Sequence, residues 1–319
     1  MKAAVVQAYS EPPRYTDFEE PTPGAHELLI HVTAAGLHPI VKALAGGKHY
    51  GSTGKFPFVA GVDGVGRRDD GTRVFFGAAR FPFGTFAERA IAAPDRCLPI
   101  PDGVDDVSVA AMMNPGMSAW AALVARAQMK AGENVLILGA TGSAGHMAVQ
   151  IARRLGAGRI VVAGRNTQAL DQLRSIGADA SIALNQEREA LVTAFREEIS
   201  GHHIDLILDY VWGEPAEAAL AAIAQKGLEK AASRIRYIQI GNSAGPAITL
   251  QASVLRSSGL EMLGSGFGSA SIEQLFQAMA ALLESALKNP FQLGTRAVPL
   301  RDIEQLWDAK NDARLVFQP

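Results

Sequence analysis

Residues 135–166 read VLILGATGSAGHMAVQIARRLGAGRIVVAGRN. Four apolar residues lead into a glycine-rich turn, then into a segment with apolar positions at helical spacing, then into a second apolar run, RIVVA. A strand, a tight turn, a helix and a second strand within about 30 residues form the unit that holds a dinucleotide. Gly142 and Gly145 sit where the strand gives way to the helix. They let the backbone bend sharply and approach a pyrophosphate, whose charge the free N–H groups of a helix N-terminus stabilise. The turn departs from G-x-G-x-x-G at its first position, which is Ala140, with the extra Gly139 just before it. No Lys-Ser or Lys-Thr follows the glycines to reach a terminal phosphate or hold magnesium, which excludes a nucleoside triphosphatase. Ala140, Thr141, Gly142, Ser143, Ala144 and Gly145 are therefore expected to bind the cofactor.

The second strand runs out into Gly164-Arg165-Asn166. An NAD-selective site places Asp or Glu here to bind the ribose 2′-hydroxyl, whereas a guanidinium pairs with a 2′-phosphate. The expected cofactor is NADP(H), held partly by Gly164, Arg165 and Asn166. The competing reading makes Arg165 an ordinary solvated surface residue.

Composition narrows the rest. The chain has 319 residues, 48% hydrophobic and 19% charged, as expected of a soluble globular protein with two domains. A formal net charge of −2 gives no basic footprint for nucleic acid. The opening MKAAVVQAYSEPPRY lacks the apolar core of a signal peptide, and no later run reads as membrane-spanning, so a cytoplasmic location is expected. Cys97 is the single cysteine, which rules out an internal disulfide and a Cys-rich structural zinc lobe. Its surroundings offer little to depress a thiol pKa, so no catalytic part is expected of it.

The fold class expected is α/β. Residues 119–270 alternate strand-like and helix-like runs, which predicts a doubly wound parallel sheet. Residues 1–118 carry short β-type runs broken by Pro and Gly, with no compelling helix before about residue 107, and 271–319 is expected to pack back on them. Gly241-Asn242-Ser243 and Gly264-Ser265-Gly266-Phe267 each follow a predicted strand, at the carboxyl edge of the sheet where ligands bind. GNSAG at 241–245 also fits the G-x-S-x-G elbow of a hydrolase. A β-like segment follows it instead of a helix, and His203 is the last histidine, so a hydrolase is rejected. His202-His203 has no third ligand nearby and reads as a solvated loop.

MKAAVV, PGAHELLIHVTAAGLHP, FVAGVDGVG, GTFAERA, PGMSAWAAL, the dinucleotide turn, IDLILDYVWG and LGSGFGS follow one another in an order that resembles the medium-chain dehydrogenase/reductase superfamily. Within it, the chain resembles the zinc-independent quinone oxidoreductase branch, over nearly its whole length. The resemblance implies a GroES-like, mostly β catalytic domain from 1–118 and 271–319, a Rossmann NADP-binding domain over 119–270, and a homodimer joined at an edge strand. It also implies that Met117, Ser118 and the two loops at 241–243 and 264–267 flank the cofactor. Where zinc-dependent relatives carry their ligands, this chain reads Leu37-His38, Val62-Asp63 and Pro115, so no metal is expected. His38 falls where relatives often carry an Asn near the nicotinamide, and Tyr50 near the place of a substrate-side aromatic. Both are candidate catalytic residues; a packing role for His38 remains open. Val41 and Ala43 stand where the resemblance leads one to expect Asp and Tyr.

The expected function is NADPH-dependent transfer of a hydride to a quinone or similar conjugated carbonyl, where conjugation spreads the incoming charge without a Lewis acid. Two alternatives stay open: reduction of an enone or enoyl-thioester double bond, and an NADPH-binding sensor or partner-binding protein with little turnover.

Overall fold

The computed structural model describes residues 1–77, 79–224, 233–310 and 313–319. The chain divides into two compact units, Pro115–Met279 and, from the two chain ends, Met1–Asn114 with Ala280–Pro319.

The first of these units is built on six parallel strands: β1 (Val135–Leu138), β2 (Ile160–Gly164), β3 (Ala180–Ala183), β4 (Leu206–Asp209), β5 (Arg234–Gln239) and β6 (Gly259–Gly264). They lie in the order β3-β2-β1-β4-β5-β6. All four residues of β1 are buried, because a parallel strand covered on both faces must be apolar throughout. Helices α1 (Ser143–Arg154), α2 (Thr167–Arg174), α3 (Arg188–Gly201) and α4 (Gly213–Ile223) connect them. The helix expected after β4 runs in the sequence to Gln225, which lies outside the described residues. Leu136, Leu138, Phe195, Leu220 and Tyr237 share one buried cluster that joins the sheet to α3 and α4. The strand order reverses between β1 and β4, and at such a switch point the connections leave in opposite directions and open a crevice at the carboxyl ends.

The unit made from the chain ends carries a mostly antiparallel sheet. Its order is Thr295–Pro299, Arg314–Gln318, Leu28–Gly36, Asp63–Arg68, Arg73–Gly77 and Cys97–Pro99, with Arg89–Ala92 also paired to Leu28–Gly36. A smaller sheet joins Arg14–Asp17, Lys2–Val6 and Phe58–Val59. The tail packs back on the N-terminal region as a strand, with Val316 opposite Gly36 and Phe317 opposite Ala35. Val6, Leu37, Leu315 and Phe317 share the core beneath.

Two sequence expectations need correction. A helix occurs at Pro39–Ala45, well before residue 107. Seven residues are too few to display a helical period, although proline in the first turn is a start signal. The segment Asp106–Arg126 is helical for 21 residues and apolar enough to cross a membrane, contrary to the expectation that no run reads so. Pro115 and Gly116 break the pattern when it is read as sequence. Of its apolar window, 61% is buried within the protein, as in a core helix.

Candidate active site

Absent side chains shape the glycine turn. A Cβ on Gly145 would lie 2.4 Å from Ala140 Cα and 2.5 Å from Gly139 O, so α1 can pack on the turn only without one. At Gly142 the nearest atom to such a Cβ is 3.6 Å away. Gly142 caps α1 in an extended conformation and offers no capping side chain. The N–H groups of Ser143, Ala144 and Gly145 have no acceptor among the described residues. Three unpaired amides and the positive end of a helix dipole suit an anion, and the open face at Gly142 gives a pyrophosphate room to approach. The turn therefore fits a dinucleotide.

Gly164, at the end of β2, comes against the same turn, since its Cβ would lie 2.6 Å from Thr141 Cγ2. Arg165 is exposed and makes no hydrogen bond or ion pair among the described residues, so its guanidinium is free for a ligand. Asn166 differs: its Oδ1 accepts from the Ala169 N–H at 3.1 Å and caps α2.

At the end of β4, Asp209 is fully buried. Its Oδ1 accepts from the N–H groups of Val211 at 2.8 Å and Trp212 at 2.9 Å, and its Oδ2 from the Tyr237 hydroxyl at 2.6 Å. Burial pushes its carboxyl above the usual range, against the pull of those donors, and burial with the neighbouring carboxylate pushes the Tyr237 hydroxyl up. This clamp fixes the chain leaving β4. Trp212 there adopts φ 56° and ψ −159°, a glycine conformation that costs another residue about 1–3 kcal/mol. The sequence reading missed this clamp; its only signal was an acid closing an otherwise apolar strand.

The predicted loops gather at the carboxyl ends of β5 and β6. A Cβ on Gly241 would lie 2.6 Å from Tyr210 O, and Ser243 Oγ donates to that same oxygen at 3.3 Å. Ser265 N–H donates to Gln239 O at 2.8 Å. Asn242 and Gly264 border a cavity of about 360 Å³ beside Trp212. Gly266 and Phe267 are exposed. Met117 and Ser118 are half-buried on their helix. Ser118 lies beside the Tyr210 hydroxyl, which is buried without a well-formed hydrogen bond and is pushed up in pKa by that burial.

In the unit of the chain ends, His38 begins the helix Pro39–Ala45 and is 1% exposed. Its Nε2 lies 3.2 Å from Asp63 Oδ1. Asp63 Oδ2 accepts from Asn114 Nδ2 at 2.8 Å, and Thr85 Oγ1 donates to the Asp63 carbonyl at 2.8 Å. Arg314 Nη1 donates to Leu37 O at 2.6 Å; burial lowers its pKa while the charge of Asp63 opposes that shift. A Cβ on Gly36 would lie 2.6 Å from His38 Nε2, so the glycine makes room for the ring. His38 Nδ1 is buried with no partner among the described residues. In the tautomer whose Nε2–H donates to Asp63, Nδ1 is the ring nitrogen without a partner among the described residues. Tyr50 stands apart: it is 77% exposed and stacks on His49, with ring centroids 4.0 Å apart. The sequence reading noted Asp63 only as a vacant ligand place, and nothing local linked Asn114 to it.

Among the described residues no group of three or more His, Cys, Asp or Glu is arranged to hold a metal. Cys97 is half-buried, and burial pushes its thiol up to about 11.

A family profile described as zinc-binding dehydrogenase matches residues 144–285, beginning inside α1 and reaching none of His38, Asp63 or Pro115. A probable NADPH-dependent quinone reductase of Emericella nidulans is 27% identical over the whole of both chains. The human quinone oxidoreductase is 26% identical, over 86% of this chain and 81% of its own. A crystal structure of a probable oxidoreductase from Mycobacterium abscessus superposes with a TM-score of 0.81 at 26% identity, covering 100% of this chain and 99% of that one. The chain belongs to the medium-chain dehydrogenase/reductase superfamily. Within the superfamily it is an oxidoreductase of the quinone oxidoreductase-like kind, with the six-stranded Rossmann sheet and antiparallel β unit of its relatives.

Proposed function

We propose that this chain is an NADPH-dependent, metal-free oxidoreductase that transfers a hydride to a quinone or a similar conjugated carbonyl. One observation carries the reading: unpaired amides at the start of α1 and an unpaired guanidinium at Arg165 stand at the ends of adjacent strands. The full-length relative from Emericella nidulans, a probable NADPH-dependent quinone reductase, supports it.

NADPH supplies the hydride when bound. The amides of Ser143, Ala144 and Gly145 hold its pyrophosphate, and Arg165 pairs with its 2′-phosphate. Met117, Ser118 and the loops 241–243 and 264–267 line the remainder of the coenzyme. His38 delivers a proton from Nδ1 to a reduced carbonyl oxygen, while Asp63 orients the ring and stabilises its charged form. A hydride and that one proton turn a quinone into a hydroquinone. A homodimer in the cytoplasm completes the proposal.

The test is steady-state oxidation of NADPH with a panel of quinones and enones. Turnover is expected with quinones. Calorimetric binding of NADPH without turnover of any acceptor would overturn the enzymatic reading, and turnover confined to enones would replace the quinone with a carbon-carbon double bond.

A further inference from the structure

Tyr9, Phe56, Phe58 and Phe81 form a row of rings on the unit made from the chain ends, and none of them takes part in the coenzyme site or the His38 cluster. Tyr9 meets Phe56 edge to face with ring centroids 4.7 Å apart, Phe56 lies 5.8 Å from Phe58, and Phe58 lies 6.2 Å from Phe81. Tyr9 also ties down the loop that precedes Phe56. A Cβ on Gly47 would lie 2.6 Å from its ring, and the Gly54 N–H donates to its hydroxyl at 2.6 Å. Tyr50 stands on the loop between those two fastenings. Phe56 is 38% exposed and Phe81 47%, although burying such a ring is favourable, so the row marks a surface that meets something other than water. The wide exposure of Tyr50 puts it on a projection and not in a groove, whose walls would cover it.

The charge around the row has one sign. Lys48 and Lys55 are exposed, and their ammonium groups make no hydrogen bond or ion pair among the described residues. No Asp or Glu occurs in the sequence between Glu27 and Asp63. Glu27 is paired with Arg80 at 3.3 Å, Glu11 with Arg14 at 3.0 Å, and Asp63 is buried against His38. We propose that this face docks on the surface of a bilayer containing anionic phospholipid. The rings of Phe56 and Phe81 enter the boundary between headgroups and acyl chains, and Lys48 and Lys55 pair with lipid phosphates. A two-fold contact with a second copy would set the lysines against the same positive face, which repels. A projecting loop also offers no groove to clasp a peptide. The docking goes beyond the hydride-transfer reading and stands whether or not that reading holds.

The test is co-flotation of the full chain with vesicles of phosphatidylcholine alone and of phosphatidylcholine mixed with phosphatidylglycerol. Binding is expected on the mixed vesicles and should be about thirty-fold weaker on the neutral ones, the worth of two lysines near an anionic surface. The double variant Lys48→Gln/Lys55→Gln should bind mixed vesicles about thirty-fold more weakly and neutral ones unchanged. Phe81→Ser should weaken binding to both kinds about ten-fold. Phe81→Trp keeps a ring and should bind as the natural chain does. Its added indole should be quenched by brominated acyl chains, whereas the natural Trp120, Trp212 and Trp307, which lie outside the row, should not. Absence of binding to mixed vesicles overturns the proposal, as does equal binding to neutral ones. Undiminished binding by the double lysine variant, or binding without quenching in Phe81→Trp, gives the lipid to another face and also overturns it. Binding of soluble polyglutamate in place of vesicles would assign the face to an acidic polypeptide, and dissociation of a dimer by Phe81→Ser would assign it to a second copy; either result overturns the proposal.

Discussion

From Gly139 to Gly145 the chain presents main-chain amides and open space, whereas His38, Asp63 and Asn114 present side chains drawn from three separate places in the other unit. The turn works because atoms are missing: a Cβ at 145 would strike the Ala140 backbone. The cluster works because atoms are present, with His38, Thr85 and Asn114 all bonded to Asp63. Adding atoms should therefore break the first and removing atoms the second.

The largest expected effect follows at Asp63. Asp63→Ala removes the acceptor of both His38 Nε2 and Asn114 Nδ2 and strips Arg314 of the charge that offsets its burial. Breaking a buried pair from one side is expected to cost about 3 kcal/mol, read as a lower urea midpoint. Asp63→Asn keeps the volume, and rotation of the Asn114 amide with a change of His38 tautomer restores most of the bonds, so about 1 kcal/mol is expected. Equal losses in the two variants would show that the cluster is ordinary packing.

Gly145→Val tests the opposite side. Its first added carbon already falls 2.4 Å from backbone, so α1 must retreat. Overpacking of this sort costs about 1–3 kcal/mol. The retreat also withdraws the amides of Ser143 and Ala144, so NADPH binding should weaken well beyond the loss of stability, as calorimetry would measure. Intact binding would mean that the amides of α1 hold no phosphate.

The same contrast governs how much the sequence disclosed. The turn, α1 and β2 are contiguous, and the rule linking them is local, so they could be read from residues 135–166 alone. The rest of the Rossmann sheet was also legible, since buried parallel strands must be apolar runs separated by helical periods. The polar cluster was not, because His38 and Asp63 are 25 positions apart and Asp63 and Asn114 are 51, brought together only by the tertiary fold. Trp212 was invisible for a different reason. Its identity argues against the glycine conformation that it holds, and only the tertiary clamp of Asp209 overrides that preference.

Arg165→Ala should have a smaller and more selective effect. Its guanidinium has no partner in the described protein, so removing it should leave the fold unchanged. The KM for NADPH is expected to rise about ten-fold while that for NADH stays nearly constant, consistent with loss of one charge-assisted pair. A parallel rise for both coenzymes would remove the 2′-phosphate from the proposal and leave the turn's amides as the only selective element.

The smallest effect is expected one residue further on, and it divides a pair that the sequence joined. Asn166 and Arg165 both follow β2, yet the Asn166 carboxamide is turned inward to the Ala169 N–H, while Arg165 faces outward. Asn166→Ala should therefore act as loss of an N-cap, lowering stability by about 1 kcal/mol or less for a short helix such as α2. Asn166→Asp should recover that loss, because an acid caps as well as the amide and favours the helix N-terminus. The coenzyme readout should then move the other way: a carboxylate beside a 2′-phosphate repels it, so NADPH binding should weaken in Asn166→Asp although the fold is restored. Thermal melts paired with coenzyme titrations separate the two roles, and if NADPH affinity instead follows stability through both variants, Asn166 belongs wholly to the helix.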